Sequence, residues 1–426
     1  MGNKEGFNLG EITKQELSRE LIAEIEGRIL EGGAVGFNIG VNVKDFGAKG
    51  DGVTNDYIAI QDAIETGLPV YVPYTKSGYL IEDTLLTTDG TILYGENLST
   101  SIFQKTDGIP IIRVVGGHYQ IYNFHLAYVN QQTESMSGGV GIELGDAEAS
   151  KGAHEGKISQ IIIEKSYRGI GVPVWKGDAF SFMNTFEHIR VLNSWDFSFY
   201  LSSREVGLTT NTLTNCYSLF SEDDTRPNGK GFFIGNHDDF IMQNCACDHG
   251  SKEALWLEGN RGGTIIDFHA EKCKVYASYF SIVRIVNSKV HFTNLSIPYS
   301  IIRLDVTESY LFWIYDGSEV TINNFAERDT TILGTGYFAS MVSDATSFLR
   351  VDSVKSALPF SFNGKRSIEM RSLQSPSIPT VGNWNVGEIV YNTLPVSGGS
   401  IGWVCVTKGD FSTTSKPVFK AFGVIS

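Results

Sequence analysis

The 426-residue sequence holds only 11 prolines, an odd five cysteines, and fewer positive than negative side chains, 34 against 48. Cys216, Cys245, Cys247, Cys273 and Cys405 lack framework spacing, which argues against a disulfide scaffold. Cys245-Ala246-Cys247 has no second pair to complete a zinc site, so the thiols read as stacked core residues. No apolar segment follows the polar N-terminal MGNKEGFNLGEITKQE, so no signal peptide is expected. No run approaches the roughly 18 apolar residues of a membrane span, so no membrane insertion is expected. A net charge of −14 speaks against a nucleic-acid partner, because phosphate binding needs a basic surface. An acidic polysaccharide would need a local basic groove. A Gly-rich phosphate loop ending in Gly-Lys-Ser/Thr is absent, leaving nucleotide hydrolysis unsupported.

What is plentiful is glycine, at 46, and aromatic residues, with 26 Phe and 18 Tyr. That composition suits a turn-dense β protein. The length fits two to three domains or one long solenoid. Thr13-Lys14-Gln15-Glu16 forms a capping-box pattern ahead of a helix carrying Leu17, Leu21, Ile22, Ile25 and Ile29. Its four turns fit either a helix packed on the first coil or a short trimeric bundle.

From 43 to 64 the chain reads VKDFGAKGDGVTNDYIAIQDAI. Gly47, Gly50 and Gly52 mark a tight loop that calls for positive φ. Thr54, Asn55 and Asp56 offer N-cap oxygens, and Ile60, Ala63 and Ile64 give the helix one apolar stripe. This stretch resembles the opening of the pectate-lyase-like, right-handed parallel β-helix superfamily. The matching residues are Asp45, Phe46, Gly47, Ala48, Gly50, Asp51, Gly52, Thr54, Asp56, Ala59, Ile60, Ala63 and Ile64, with Asn55 where the family usually has Asp. The resemblance implies an all-β, single-stranded right-handed parallel β-helix capped by the 54–66 helix.

Between Pro69 and Phe348 short strands recur between Gly, Asn and Asp. Asn193, Asn215, Asn244 and Asn294, with Glu271 in the same slot, recur every 22 to 29 residues, as coil-turning residues would. The repeat is expected to end near 345–375. The expected organisation is a 1–38 helical attachment or assembly segment, a 39–348 β-helix, a 349–379 end cap and linker, and a 380–426 β module. In the last, Trp384, Gly387, Val390-Tyr391-Asn392, Gly402 to Thr407 and Phe419 to Ile425 resemble the small module that ends many phage tailspikes and pre-neck appendage proteins. That resemblance implies a homotrimer on the phage virion, attached directly or through an adapter by its N-terminus. It also implies an activity on bacterial surface polysaccharide, by glycoside hydrolysis or by β-elimination; a teichoic-acid-cleaving or binding-only appendage is the alternative. No cofactor or metal is implied.

Aligning the repeats pairs Phe199-Tyr200-Leu201 with Phe232-Phe233-Ile234, Leu255-Trp256-Leu257, Phe280-Ser281-Ile282 and Ile302-Arg303-Leu304. If the flanking apolar residues point in, Tyr200, Phe233 and Trp256 point out and form an aromatic column. Such a column suits sugar rings, or equally a neighbouring subunit or packed loop. Trp195 belongs to this surface or to the core. Titratable groups gather beside it: Glu222, Asp223, Asp224 and Arg226 in one insertion, Asp248, His249 and Glu253 in the next, and His237-Asp238-Asp239 between. Lyase chemistry would draw on Arg204, Lys230, Arg261 or a His. His237 and His249 are also conceivable metal ligands with Asp238 or Asp248, against a plain polar turn. Glu258 lies two residues after Trp256 and so faces the same way. Its expected neighbours are Gly235, which would leave room for a sugar, and apolar Val283, which would raise its pKa as a general acid requires. Asp248, Asp223 and Asp224 are the expected partner carboxylates. Trp256, Tyr200, Phe233, Trp195, His249, Arg226 and Arg261 make up the expected binding set.

Overall fold

The computed structural model describes residues 40–149, 151–173, 180–202, 208–221, 229–275, 281–303, 308–333, 337–343, 346–355, 365–366, 372–380, 383–384, 386–411 and 414–425. The helix expected at 13–29 lies outside these residues, as do Arg204, Glu222, Asp223, Asp224, Arg226 and Asp305.

Val41–Ser426 forms one unit whose strands stack rung upon rung in parallel. A large sheet of 22 strands and a sheet of ten strands make the main walls, and two three-stranded sheets fill the corners. The chain passes from one wall to the next at corners where residues adopt positive φ. Gln160, His188, Asn215, Asn244 and Asp267 form one such column, with φ of 52–56°. Asn and Asp tolerate this conformation because their short polar side chains bond locally. The columns are tied along the axis: His188 contacts Asn215 at 3.2 Å, and Asn294 donates to Asp267 at 2.5 Å. The alignment of asparagines is therefore right for Asn215 and Asn244; Asn294 continues the column in register but lies within a strand without positive φ, and Asn193 and Glu271 lie elsewhere. Asn193 turns a different corner, and Glu271 lies on a strand opposite Asp248. Each coil has several left-handed corners, and Asn fits any of them.

Inward residues alternate along each strand and stack into rows. Phe199 lies on Phe232 with centroids 4.6 Å apart, and Leu255, Val283 and Phe312 continue the row. All five are fully buried. Each such side chain contributes roughly 1.5–3 kcal/mol on leaving water. Cys216, Cys245, Cys247 and Cys273 are buried free thiols in the same interior.

At the first end, the Tyr57–Glu65 helix buries Ile60, Ala63 and Ile64. A 3-10 turn, Val43–Phe46, follows the short strand Val41–Asn42. Gly47, Gly50 and Gly52 have φ of 98°, 60° and 74°. Asp56 does not cap the helix with its side chain; its buried carboxylate instead accepts from the backbone of Lys49 and Gly50, at 2.5 and 2.9 Å. Asn55 takes the capping role, accepting from Tyr57 N at 3.1 Å.

Towards the other end the ladder continues past 348. Phe348–Lys355 pairs with Glu319–Arg328 and then with Ser372–Ser375. Ser372–Ser375 pairs in parallel with Ile389–Asn392, after which the pairing turns antiparallel through Ser400–Thr407 and Val418–Val424. The C-terminal strands are thus hydrogen-bonded onto the solenoid's own sheet. No helix among the described residues is long and apolar enough to cross a membrane.

Candidate functional site

The ten-stranded sheet runs from Leu85–Thr87 to Tyr337–Ser343, and the strand middles line up across it. Each middle is an outward residue between inward apolar ones, so the register writes a column on the outer face. In order the column is Arg113, Glu143, Gly171, Tyr200, Phe233, Trp256, Arg284 and Trp313. Tyr200, Phe233 and Trp256 occupy consecutive rungs, as expected, with centroids 4.9 and 5.0 Å apart. Phe197 braces them from the strand start, 5.4 Å from Phe233. The next members are Arg284 and Trp313, not Ser281 and Arg303. Ser281 sits three residues before Arg284, and Arg303 belongs to a corner sheet.

Arginines close both ends of the aromatic row. Arg168 lies 3.6 Å over the Tyr200 ring, and Arg284 lies 4.2 Å over Trp256. Such stacking contributes about 0.5–2 kcal/mol and fixes the guanidinium plane. Gly171 makes the first stack possible. A Cβ there would lie 3.8 Å from Arg168 Cδ, and anything longer would contest the space across which the Arg168 stem lies.

Charges on the strand starts form a second row. Arg168 Nη2 and Lys230 Nζ both reach the nearly buried Asp196, at 2.8 and 2.7 Å. Burial alone would raise the Asp196 pKa, but the two cations more than offset it and hold the group below its usual range. Glu253, one rung beyond Lys230, is wholly buried and neither carboxyl oxygen is hydrogen-bonded. Arg284 Nη1 approaches it only to 3.6 Å. Burial raises its pKa against the opposing pull of Lys230, Arg284 and Lys252.

Beside Gly171 the surface opens into a cleft of about 360 Å³, lined among others by Arg113, Glu134, Glu143, Asp146, Tyr167 and Arg168. Arg113 holds two carboxylates there: Glu143 at 2.5 Å from Nε, and Asp146 at 3.5 Å from Nη1. Burial raises the Glu143 pKa; Arg113 opposes the shift and the Asp146 charge adds to it. A carboxyl biased toward its acid form thus shares a cation with a second carboxylate, next to a row of rings. That arrangement is suited to acid–base work on a glycosidic bond.

The remaining expected residues scatter. Glu258 does follow Trp256 on the same strand, but its rung neighbours are Gly235 and Val286, not Val283. The space at Gly235 is filled, because an added Cβ would lie 2.4 Å from Ser202 Oγ. Asp248 is on the large sheet, where the Tyr217 hydroxyl donates to it, so it does not face Glu258 across one ladder. His249 turns the corner after it at φ 58°. Trp195 is half-buried at a corner and its indole N–H is unbonded. Arg261 is exposed and paired with Asp238 at 2.8 Å. His237 is a buried structural group, contacting Gly235 O at 3.1 Å and Asn211 at 3.2 Å. Arg113, Glu143, Asp146, Arg168, Asp196 and Arg284 were not anticipated. Their signal was present as apolar–charged–apolar triplets: Ile112-Arg113-Val114, Ile142-Glu143-Leu144 and Val283-Arg284-Ile285.

Residues 40–141 match the family model described as rhamnogalacturonase A/epimerase, pectate lyase-like. Over 92% of its length the chain superposes on 67% of the gp42 tailspike of Acinetobacter phage vb_AbaP_AS12, with a TM-score of 0.62 and 13% identity. The fold is a parallel β-helix, and its opening portion is the part that matches the pectate-lyase-like model. Sequence relatives of this β-helix include the preneck appendage protein of Bacillus phage PZA, 40% identical over 70 residues, which are 16% of this chain and 8% of that protein. The pre-neck appendage protein of Bacillus phage B103 is 33% identical over 72 residues, 17% of this chain and 8% of its own. The matches thus span less than a tenth of those relatives' length.

Proposed function

We propose that this β-helix is part of a phage tailspike-type appendage that binds a bacterial surface polysaccharide along the outer face of the ten-stranded sheet and cleaves it by glycoside hydrolysis. The observation that carries the reading is the Arg113 cleft, where Glu143 and Asp146 share one guanidinium beside the Tyr200–Phe233–Trp256 row. Sugar rings pack along Tyr200 and Trp256, the half-buried members of the row, and the chain enters the cleft past Arg168. Glu143, whose acid form burial favours against the pull of Arg113, gives its proton to the glycosidic oxygen as that bond breaks. Asp146 activates water or attacks the anomeric carbon, and Arg113 keeps both carboxyls in place as their charges change. The appendage and tailspike names of the similar proteins support a place on the virion, with residues 1–38 as the attachment to the particle or to an adapter. A homotrimer is part of the proposal.

The test is a Glu143→Gln variant assayed on a panel of purified capsular and exopolysaccharides, with products read by mass spectrometry. Turnover should fall by about a hundredfold or more, the scale of a lost general acid. Polysaccharide binding should remain. If Glu258→Gln loses activity and Glu143→Gln does not, the acid is Glu258. Unsaturated product ends would replace hydrolysis with β-elimination, and binding without any products would make the appendage an adhesin.

A further inference from the structure

On the large sheet, away from the cleft, Asp248, His269 and Glu271 bring one ligating atom each to within 4.8 Å of one another. The sequence builds this in two steps. His269 and Glu271 are two apart on the strand Phe268–Glu271, so both face outward. The register then sets Asp248 directly opposite Glu271 and Ala246 opposite His269, and the small alanine leaves space beside the ring.

Two further observations favour a cation as the ligand of this cluster. Asp248 Oδ1 is shielded from solvent and has no hydrogen-bond donor, while its other oxygen takes the Tyr217 hydroxyl. Asp248 and Glu271 are like charges on adjacent rungs, and His269 Nε2 lies 3.1 Å from Glu271. A hydroxyl that orients one ligating carboxylate from behind is the usual outer-shell partner of a metal ligand.

We propose that Asp248, His269 and Glu271 bind one divalent transition cation of the zinc type, with Tyr217 orienting Asp248. One imidazole and two carboxylates suit zinc, cobalt or manganese rather than calcium, which prefers oxygen alone. Bonds of about 2.0–2.2 Å require the three donors to close in from their present spacing. His269 and Glu271 are 40% and 32% exposed at the side chain, which leaves them free to turn. The bound ion would cross-link neighbouring rungs.

The experiment titrates zinc into chelator-stripped, tag-free protein against a chromophoric competitor, and repeats it with cobalt(II) to read the visible ligand-field bands. One ion should bind per chain. His269→Ala or Glu271→Gln should weaken it at least tenfold, and Tyr217→Phe, which touches no ion, by about tenfold. Circular dichroism of each variant checks that the fold is retained. No saturable binding to the wild type, or binding that survives both Asp248→Asn and His269→Ala, overturns the proposal.

Discussion

Burial strips water from the His237 imidazole and lowers its pKa from 6.5 to about 4, despite the Gly235 carbonyl and the Asp238 charge, which act the other way. The neutral ring is therefore the form the fold accepts. Its contribution to stability is complete above pH 6.5 and is lost as pH falls through about 4, where the folded ring must also take a proton. Thermal melts between those two pH values should show the wild type losing more stability than a His237→Gln variant. Parallel slopes for the two would mean that the ring is hydrated in solution. Glu143 and Glu253 show the same physics with the opposite sign of charge. Each is a carboxyl that burial pushes toward its acid form, and only Glu143 lines a cleft that a substrate can enter.

At the scale of the strand, the site depends on one residue that has no side chain. Gly171→Phe adds a Cβ that fits, meeting Val140 at 3.5 Å, but its ring takes the space across which Arg168 reaches Tyr200. We expect turnover on polysaccharide to fall at least tenfold, with circular dichroism of the variant checking that the fold is retained. A variant with full activity would show that sugars do not pass over Gly171. The same strands explain what was legible in the sequence. Phe-Tyr-Leu, Phe-Phe-Ile and Leu-Trp-Leu advertise themselves, because large outward rings between apolar neighbours have few other readings. The register then slips at Phe280-Ser281-Ile282, which spells the same apolar pattern three residues before the true rung at Val283-Arg284-Ile285. That slip gave Glu258 the wrong neighbour. The sequence reading places Asp248 in an insertion loop beside Glu258, yet it ends the strand Ala246–Asp248 on the large sheet, a corner away from Glu258. The cleft was missed because Arg113 and Glu143 sit on rungs without an aromatic to mark them.

For the whole molecule, exposed apolar surface gathers at one end. Nine of the nineteen large apolar residues that are exposed among those described fall between Val386 and Val424, among them Leu394 at 70% and Val424 at 76%. Such surface on a solenoid's last strands is suited to contact with further copies of the chain. Light scattering should find a trimer for the full chain and a smaller species after removal of residues 376–426; an unchanged mass would assign assembly elsewhere. The corner columns carry a different consequence. His188 and Asn215 are 27 residues apart, whereas Asn294 and Asn324 are 30 apart, yet each pair meets in the same way across one rung. Differences in coil length are absorbed between such contacts, so loops around the ten-stranded sheet can be exchanged without disturbing the frame. For an appendage of the proposed kind, that geometry is a lock whose wards can be recut while the barrel stays the same.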